Sequence, residues 1–152
     1  MDEKVRTYVV TGLHSKVVEA LSTTVNEAKA RGMSVAMHMG LRTIKEQDAL
    51  YAKGRTVPGS IVTNAPGGMS WHNYGLAVDI VFKDSKGIWT WSDKCDWDGL
   101  GQVGKMFGFE WGGDWTKFPD LPHFQMRGKI PSIRAAKEIL EKEGIEALWA
   151  LV

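Results

Sequence analysis

The chain has 152 residues, of which 43% are apolar and 24% charged, ordinary values for a folded globular protein and unlike those of disordered or fibrous chains. Nineteen Lys and Arg residues nearly balance eighteen Asp and Glu residues, so the formal net charge is +1, and no run of like charge indicates a nucleic-acid partner. The polar N-terminus lacks the apolar run of a signal peptide, and no stretch approaches the ~20 apolar residues of a membrane-spanning helix, so we expect synthesis in the cytoplasm.

The first part of the chain is predicted to form a helix, a strand and a second helix. Apolar residues recur at three- and four-residue intervals over residues 15–31, which predicts a helix that Gly32 ends. Residues 33–39 alternate large apolar with small or polar side chains, the period of a strand. A capping-box pattern from Thr43 to Glu46 then predicts a short helix that runs to about residue 53.

The middle of the chain is predicted to contain a long loop, a hairpin and a third helix. Residues 54–70 are rich in Gly, Pro, Asn and Ser, which indicates an irregular loop of the kind that often shapes a site. Residues 75–82 are typical of a buried strand, and a turn over 83–87 leads to a partner strand through Trp89 and Trp91. An apolar stripe from Leu100 to Phe107 then predicts a helix.

The end of the chain is predicted to add one strand and one helix. A Gly- and Trp-rich turn over residues 111–115 precedes a short strand over 121–126, and a final helix over 133–143 lies between Ser132 and Gly144. The sum is a mixed α+β fold with a small antiparallel sheet flanked by helices. We expect one domain over residues 1–152, and a monomer by default.

Two segments carry candidate metal ligands. The segment SWHNYGLAVD (residues 70–79) places His72 seven residues before Asp79, whose carboxylate lies on a strand of apolar residues and needs a partner. The two side chains converge only if the backbone before Gly75 is irregular, which a glycine permits. The segment DLPH (residues 120–123) offers a second imidazole, His123, and another carboxylate, Asp120.

These residue types suit a catalytic zinc site. Two imidazoles and one carboxylate leave the fourth tetrahedral position of zinc for water, and Asp120 is then free to act as a base. Cys95 is the only cysteine, which excludes an internal disulfide and a zinc site of paired thiolates. Spacing alone leaves a hydrogen-bonded His–Asp pair as the alternative. Of the other histidines, His14 is predicted at the surface and His38 in the core.

The motif SWHNYGLAVD matches S-x-H-x-x-G-x-A-x-D, the motif of the LAS metallopeptidases, at all five fixed positions. This group contains VanY-type D-alanyl-D-alanine carboxypeptidases, VanX dipeptidases and phage L-alanyl-D-glutamate endolysins. Downstream, WGGDW (111–115) and DLPHFQ (120–125) resemble the group's W-G-G-x-W and D-x-P-H-F-Q segments, and GLRTIKEQDALYAKGRT (40–56) is similar to a stretch of the endolysin branch. The resemblance covers residues 13–126 and leaves a helical tail, 127–152, without a distinctive motif.

The resemblance implies a hedgehog/D-Ala-D-Ala peptidase-like fold and one catalytic zinc ion. The zinc ligands that it implies are His72, Asp79 and His123. It further implies that Asp120 is the general base and that Arg42 steadies the scissile carbonyl and its developing oxyanion by charge-assisted hydrogen bonds.

Two further polar residues match the group's pattern. Gln47 and Ser70 are expected to orient substrate or the groups behind the ligands, with backbone capping as the alternative. Asp93, Asp96 and Asp98 could hold a calcium ion, but no EF-hand pattern is present and Asp96 could instead cap the next helix.

The expected function is that of a phage-type endolysin that hydrolyses the L-alanyl-D-glutamate bond of the peptidoglycan stem peptide. In this mechanism a zinc-activated water attacks the peptide bond and Asp120 acts as the base. The protein is expected to act on the cell wall or in the periplasm, which it reaches from the host cytoplasm after the membrane is permeabilised. One alternative is a D-alanyl-D-alanine carboxypeptidase or dipeptidase on the same fold. Another is a non-catalytic zinc module that binds the wall.

Overall fold

The computed structural model describes residues 10–152. Its helices are α1 (Ser15–Ala30), α2 (Ile44–Ala52), α3 (Trp97–Met106), α4 (Ile133–Glu143) and α5 (Ile145–Trp149). Its strands are β1 (Val35–Met39), β2 (Ala77–Lys83), β3 (Trp89–Thr90), β4 (Glu110–Trp111) and β5 (His123–Gln125). Two 3-10 turns, Trp71–Tyr74 and Gly112–Asp114, precede β2 and follow β4. The predicted α+β class is confirmed, and no helix within residues 10–152 is long and apolar enough to cross a bilayer.

The sheet is antiparallel and has the order β1-β2-β5-β4, with β3 paired to the end of β2. Strand β2 is the central strand, and five of its seven residues are buried. Asp79 on β2 is paired with Met39 on one side and with His123 on the other. Because directly paired residues have Cα atoms about 4.5–5.5 Å apart, this register alone brings Asp79 and His123 together.

One hydrophobic core joins the sheet to helices α1, α3, α4 and α5. Its fully buried members include Val17, Leu76, Val78, Ile80, Leu100, Phe124, Ala136 and Leu148. Full burial of a Val, Leu, Ile or Phe side chain stabilises the fold by about 1.5–3 kcal/mol. This packed layer fixes β2 and β5, the strands that carry two of the candidate ligands.

The helix ends follow their caps. Helix α4 has the predicted bounds because Ser132 accepts a hydrogen bond from the Ala135 amide at one end and Gly144 adopts positive φ at the other. Helix α2 begins after Thr43, which accepts from the Glu46 amide. Strand β1 begins at Val35, later than predicted, because the Met33 amide still donates to Ala28 of α1 and belongs to the turn.

His14 is buried, so its prediction as a surface residue is wrong. It caps α1: its Nδ1 accepts from the Lys16 amide at 3.0 Å, and its Nε2 lies 3.1 Å from the Trp149 carbonyl. The C-terminal segment covers this ring, and the indole of Trp149 in turn donates to the Tyr74 carbonyl at 2.7 Å. The tail thus supports the 3-10 turn that carries His72.

His38 is exposed, so its prediction as a core residue is also wrong. The register of β1 shifts between Met37, paired with Ile80, and Met39, paired with Asp79. His38 is therefore the extra, unpaired residue of a β-bulge. A bulge turns a side chain away from the position that regular alternation would give it.

Candidate metal centre

His72, Asp79 and His123 meet at one end of the sheet. Nε2 of His72 lies 3.2 Å and Nδ1 of His123 lies 3.7 Å from the same oxygen, Oδ1 of Asp79. One ligand atom from each of the three residues lies within 4.8 Å of the other two. Among the residues that the structure describes, these three are the one group of His, Cys, Asp and Glu side chains placed to hold a metal ion.

An irregular backbone brings His72 and Asp79 to the same side, as the sequence predicted. Ser70 caps the 3-10 turn by accepting from the His72 amide, and Gly75 ends the turn at φ 67°. A Cβ at Gly75 would collide with the carbonyl oxygen of Gly12. Both the positive φ and this close approach require glycine at the position.

The ring of His72 is oriented by the main chain. Its Nδ1 lies 2.9 Å from the Gly40 carbonyl, which can only accept, so Nδ1 carries the proton. Nε2 is then left with a lone pair that faces Asp79. His72 is 3% exposed, so little water reaches this nitrogen.

The ring of His123 is oriented by a chain of side chains. Its Nε2 lies 2.8 Å from Oε1 of Gln125, whose amide nitrogen donates to Glu110 at 2.9 Å. Arg127 donates to the second oxygen of Glu110 at 3.0 Å. Because Gln125 presents its oxygen, Nε2 of His123 carries the proton and Nδ1 faces Asp79 with a lone pair.

Three acceptors therefore converge without a donor between them. Oδ1 of Asp79 is buried and has no hydrogen-bond partner among the described residues. Burial opposes ionisation of Asp79, but a proton taken up on the facing nitrogen of His123 or His72 is donated to the carboxylate, and these interactions hold the pKa of Asp79 well below its usual range, so the group is an anion. A buried anion facing two imidazole lone pairs is stabilised by a cation, which is the chemistry of a divalent metal site.

Asp120 lies beside this centre and lines the same cleft. Partial burial and the neighbouring Asp79 carboxylate raise the pKa of Asp120, against the opposing effects of His123, His72 and Arg42. Its backbone is fixed, because its amide donates to the Gly112 carbonyl and its own carbonyl accepts from the His123 amide. Gly112 is needed here, since a Cβ would collide with the Asp120 carbonyl.

Arg42 and Gln47 form a pair at the edge of the cleft. An Arg42 guanidinium nitrogen donates to Oε1 of Gln47 at 3.0 Å, and the Gln47 amide nitrogen donates to the Ala65 carbonyl at 2.7 Å. Gln47 is fully buried, and these hydrogen bonds join it to Arg42 and to the 54–70 loop. The Arg42 amide also donates to the His72 carbonyl, which ties the arginine to the ligand turn.

The remaining sequence candidates are engaged in local structure. Ser70 caps the His72 turn and also lines the cleft. Asp96, one of the three residues considered for calcium, caps α3 by accepting from the Gly99 amide at 2.9 Å. The side chains that sequence reasoning missed are Gln125 and Glu110. Gln125 lies two residues after His123, the spacing that puts strand residues on one face, and this period could have indicated it.

The sequence is similar to those of peptidases that act on peptidoglycan. Residues 63–126 match a family model described as D-alanyl-D-alanine carboxypeptidase. The peptidoglycan L-alanyl-D-glutamate endopeptidase CwlK of Bacillus subtilis is 41% identical over 126 residues, which cover 78% of this chain and 75% of that protein. The L-alanyl-D-glutamate peptidase of Listeria phage A118 is 32% identical over 110 residues, 67% of this chain and 34% of that longer protein. This chain belongs to the LAS family of metallopeptidases.

Solved structures show the same fold. The Serratia marcescens L-Ala D-Glu endopeptidase ChiX superimposes with a TM-score of 0.60 and 21% identity, over 80% of this chain and 85% of that one. VanYB in complex with D-alanine-D-alanine gives a TM-score of 0.56 and 23% identity, over 86% of this chain and 77% of that one. These likenesses confirm the hedgehog/D-Ala-D-Ala peptidase-like fold that the motifs implied.

Proposed function

We propose that this protein is a zinc endopeptidase that hydrolyses the L-alanyl-D-glutamate bond of peptidoglycan stem peptides. The observation that carries the chemistry is the convergence of two imidazole lone pairs on the buried, unpartnered oxygen of Asp79. Support for the bond comes from the 41% identity to CwlK, which is named for this activity.

The donor set fits zinc. Two imidazole nitrogens and one carboxylate oxygen, from His72, His123 and Asp79, are the ligand types of catalytic zinc sites, and a VanY D,D-pentapeptidase of the same fold is described in complex with Zn(II). When bound, zinc lowers the pKa of water towards ~7 and polarises a carbonyl. The residues behind the ligands fix which nitrogen of each ring is free, so the site is prepared for a metal before one binds.

Asp120 is the proton acceptor in this proposal. Its carboxyl group lines the same cleft as the candidate ligands, where a base can take a proton from the attacking water and return it to the leaving amine. Arg42 supplies positive charge to the oxygen of the tetrahedral intermediate, an interaction of the oxyanion-hole type. Gln47 holds Arg42 in place, and Ser70 holds the turn of His72.

The nearest rival is a D-alanyl-D-alanine carboxypeptidase on the same fold, which the description of the family model favours. Mass spectrometry of digested murein separates the two. We expect new fragments with N-terminal D-glutamate, and release of free D-alanine without such fragments would establish the rival. A non-catalytic zinc module would produce neither fragment from any murein.

The biological setting that we propose is wall lysis. The Listeria phage relative is named for the same peptidase activity, although this chain spans about a third of its length. Addition of the wild-type protein should lower the turbidity of permeabilised bacteria. Addition of the Asp120→Ala variant should leave the turbidity unchanged. Equal clearing by the two proteins would show that lysis does not depend on the peptidase site.

A further inference from the structure

An aromatic cluster in the catalytic cleft has no part in the proposed chemistry. It consists of His38, Trp89 and Trp91. The ring of His38 lies 5.0 Å from that of Trp89 and 5.1 Å from that of Trp91, nearly perpendicular to both. Trp91 is 53% exposed, and it lines with His38 the same cleft as the three candidate ligands. The cluster is thus built and partly open to a ligand.

The bulge in β1 places this cluster close to the metal centre. Met39 is paired with Asp79, and His38 is the neighbouring extra residue. A cross-strand pair is about 4.5–5.5 Å apart and consecutive Cα atoms are about 3.8 Å apart, so the Cα of His38 lies roughly 6–9 Å from that of Asp79. The cleft holds about 1340 Å³, more than the ~300–1,000 Å³ of small-molecule sites, and leaves room for a substrate that extends past the metal.

The cluster suits a neutral ligand with an apolar face. The cluster contains no carboxylate and no guanidinium group. The Lys83 ammonium already lies over the ring of Trp89, 4.6 Å from its centre. Trp91 is left with the accessible ring. Indoles combine a broad apolar face with a polar N–H, which suits ligands that are apolar on one side and hydroxylated at the edge. A pyranose sugar has this chemistry.

We propose that Trp91, held by His38 and Trp89, binds the N-acetylmuramic acid sugar to which the stem peptide is attached. The proposal rests on the proposed L-alanyl-D-glutamate cleavage. In murein the L-alanine amine is joined to the lactyl group of the sugar, so one residue and one lactyl group, roughly 7 Å, separate the cleaved bond from the ring. Trp91, whose ring lies 5.1 Å from that of His38, lines the same cleft as the candidate ligands, so a sugar on Trp91 and a peptide at the metal centre would share one cleft. An enzyme that cuts at the far end of the stem would have no sugar there.

The test compares two substrates that differ in the sugar. One is N-acetylmuramyl-L-alanyl-D-glutamyl-diaminopimelate, and the other is the same tripeptide with an N-acetyl group in place of the muramyl group, so that neither has a free amine on the L-alanine. Trp91→Ala should lower kcat/KM on the sugar-bearing substrate roughly tenfold and should change it less than about twofold on the acetyl peptide. Trp91→Phe, which retains an aromatic face, should restore part of the loss.

The control is Ile88→Ala. Ile88 is 59% exposed on the same hairpin but does not line the cleft, so its removal tests for general damage to the hairpin. It should leave both substrates unaffected. A Trp91→Ala variant that loses activity equally on both substrates, or on neither, overturns the sugar subsite.

Failure of the proposed function is distinguishable from failure of the subsite. If the wild type cleaves neither substrate, the cleavage proposal fails, and calorimetric titration with N-acetylmuramyl-L-alanine then tests the subsite directly. Weaker binding by Trp91→Ala than by the wild type supports it. Equal binding by the two proteins, or no binding by either, rejects it.

Discussion

The two histidines of the candidate metal centre are oriented by different means. His72 lies on a 3-10 turn, and its outer nitrogen faces a main-chain carbonyl, that of Gly40. His123 lies on a strand, and its outer nitrogen faces the side chain of Gln125, which is held by Glu110 and then by Arg127. Both arrangements leave one lone pair facing Asp79. One depends on the course of the chain and the other on a row of side chains.

This difference determines how each ligand can be perturbed. A main-chain carbonyl survives any side-chain substitution, so the hydrogen bond to His72 changes only when the backbone at Gly40 or at the His72 turn moves. The His123 support runs outward to an exposed ion pair between Glu110 and Arg127 and can be weakened one residue at a time. We therefore expect removal of either histidine to reduce metal binding equally. Substitutions around His123 should weaken metal binding more than substitutions around His72.

Removal of either ligand is expected to have the largest effect. His72→Ala and His123→Ala should each lose stoichiometric zinc and lower hydrolysis by at least about a thousandfold, since a catalytic metal contributes several kcal/mol. Metal analysis of the purified variants, with hydrolysis of murein, measures both effects. Retention of full zinc content by one of the two variants would show that the ligands are not equivalent.

Loss of Gln125, the side chain that contacts His123 directly, should have the second-largest effect. In Gln125→Leu the outer nitrogen of the ring has no acceptor, and zinc affinity should fall about 10–100-fold. A chelator competition titration measures it, and circular dichroism checks the fold. Unchanged affinity would mean that the strand alone orients His123. The matched variant combines Gln125→Glu with Glu110→Gln, which keeps both the acceptor for His123 and a hydrogen bond between positions 125 and 110, and it should lose less.

Loss of Arg127, the last residue in the row behind His123, should have a smaller effect. Arg127→Met removes an exposed partner of Glu110, and exposed ion pairs contribute about 0–1 kcal/mol, so zinc affinity should fall by no more than about fivefold. The same titration at low and high salt should show the effect shrinking as salt screens the pair. A fall as large as that of Gln125→Leu would place the main restraint at Arg127.

The support of the His72 turn should respond to alkaline pH. Tyr74 is 1% exposed and its hydroxyl donates to the Gly68 carbonyl at 2.6 Å; burial, and then Glu141, raise its pKa to about 12. Since the unfolded value is about 10, the contribution of the neutral phenol is complete below pH ~10 and is lost as pH rises through about 12. Thermal melts should show this loss in the wild type and not in Tyr74→Phe, which should be about 1 kcal/mol less stable at neutral pH.

Much of the site could be read from the sequence because its residues lie in short ordered motifs. The convergence of His72 with Asp79 followed from one glycine, Gly75, and the bounds of α4 followed from a serine cap and a closing glycine. Local patterns of this kind carry their own geometry.

The remaining features depend on distant segments. His14 is buried by the C-terminal tail, and His38 is exposed by a bulge, neither of which a local window shows. Glu110 lies on a two-residue strand that has too little length for a periodic signal. Gln47 matched a polar motif position, yet its burial behind Arg42 depends on the long loop that covers it.

The central claim is that His72, Asp79 and His123 hold a zinc ion while Asp120 performs proton transfer without binding the metal. Zinc content and murein hydrolysis, measured on the same preparations of wild type and Asp120→Ala, test it most directly. We expect one zinc per chain in both proteins and hydrolysis by the wild type alone. Loss of zinc from Asp120→Ala, or hydrolysis by that variant at the wild-type rate, would contradict the assignment.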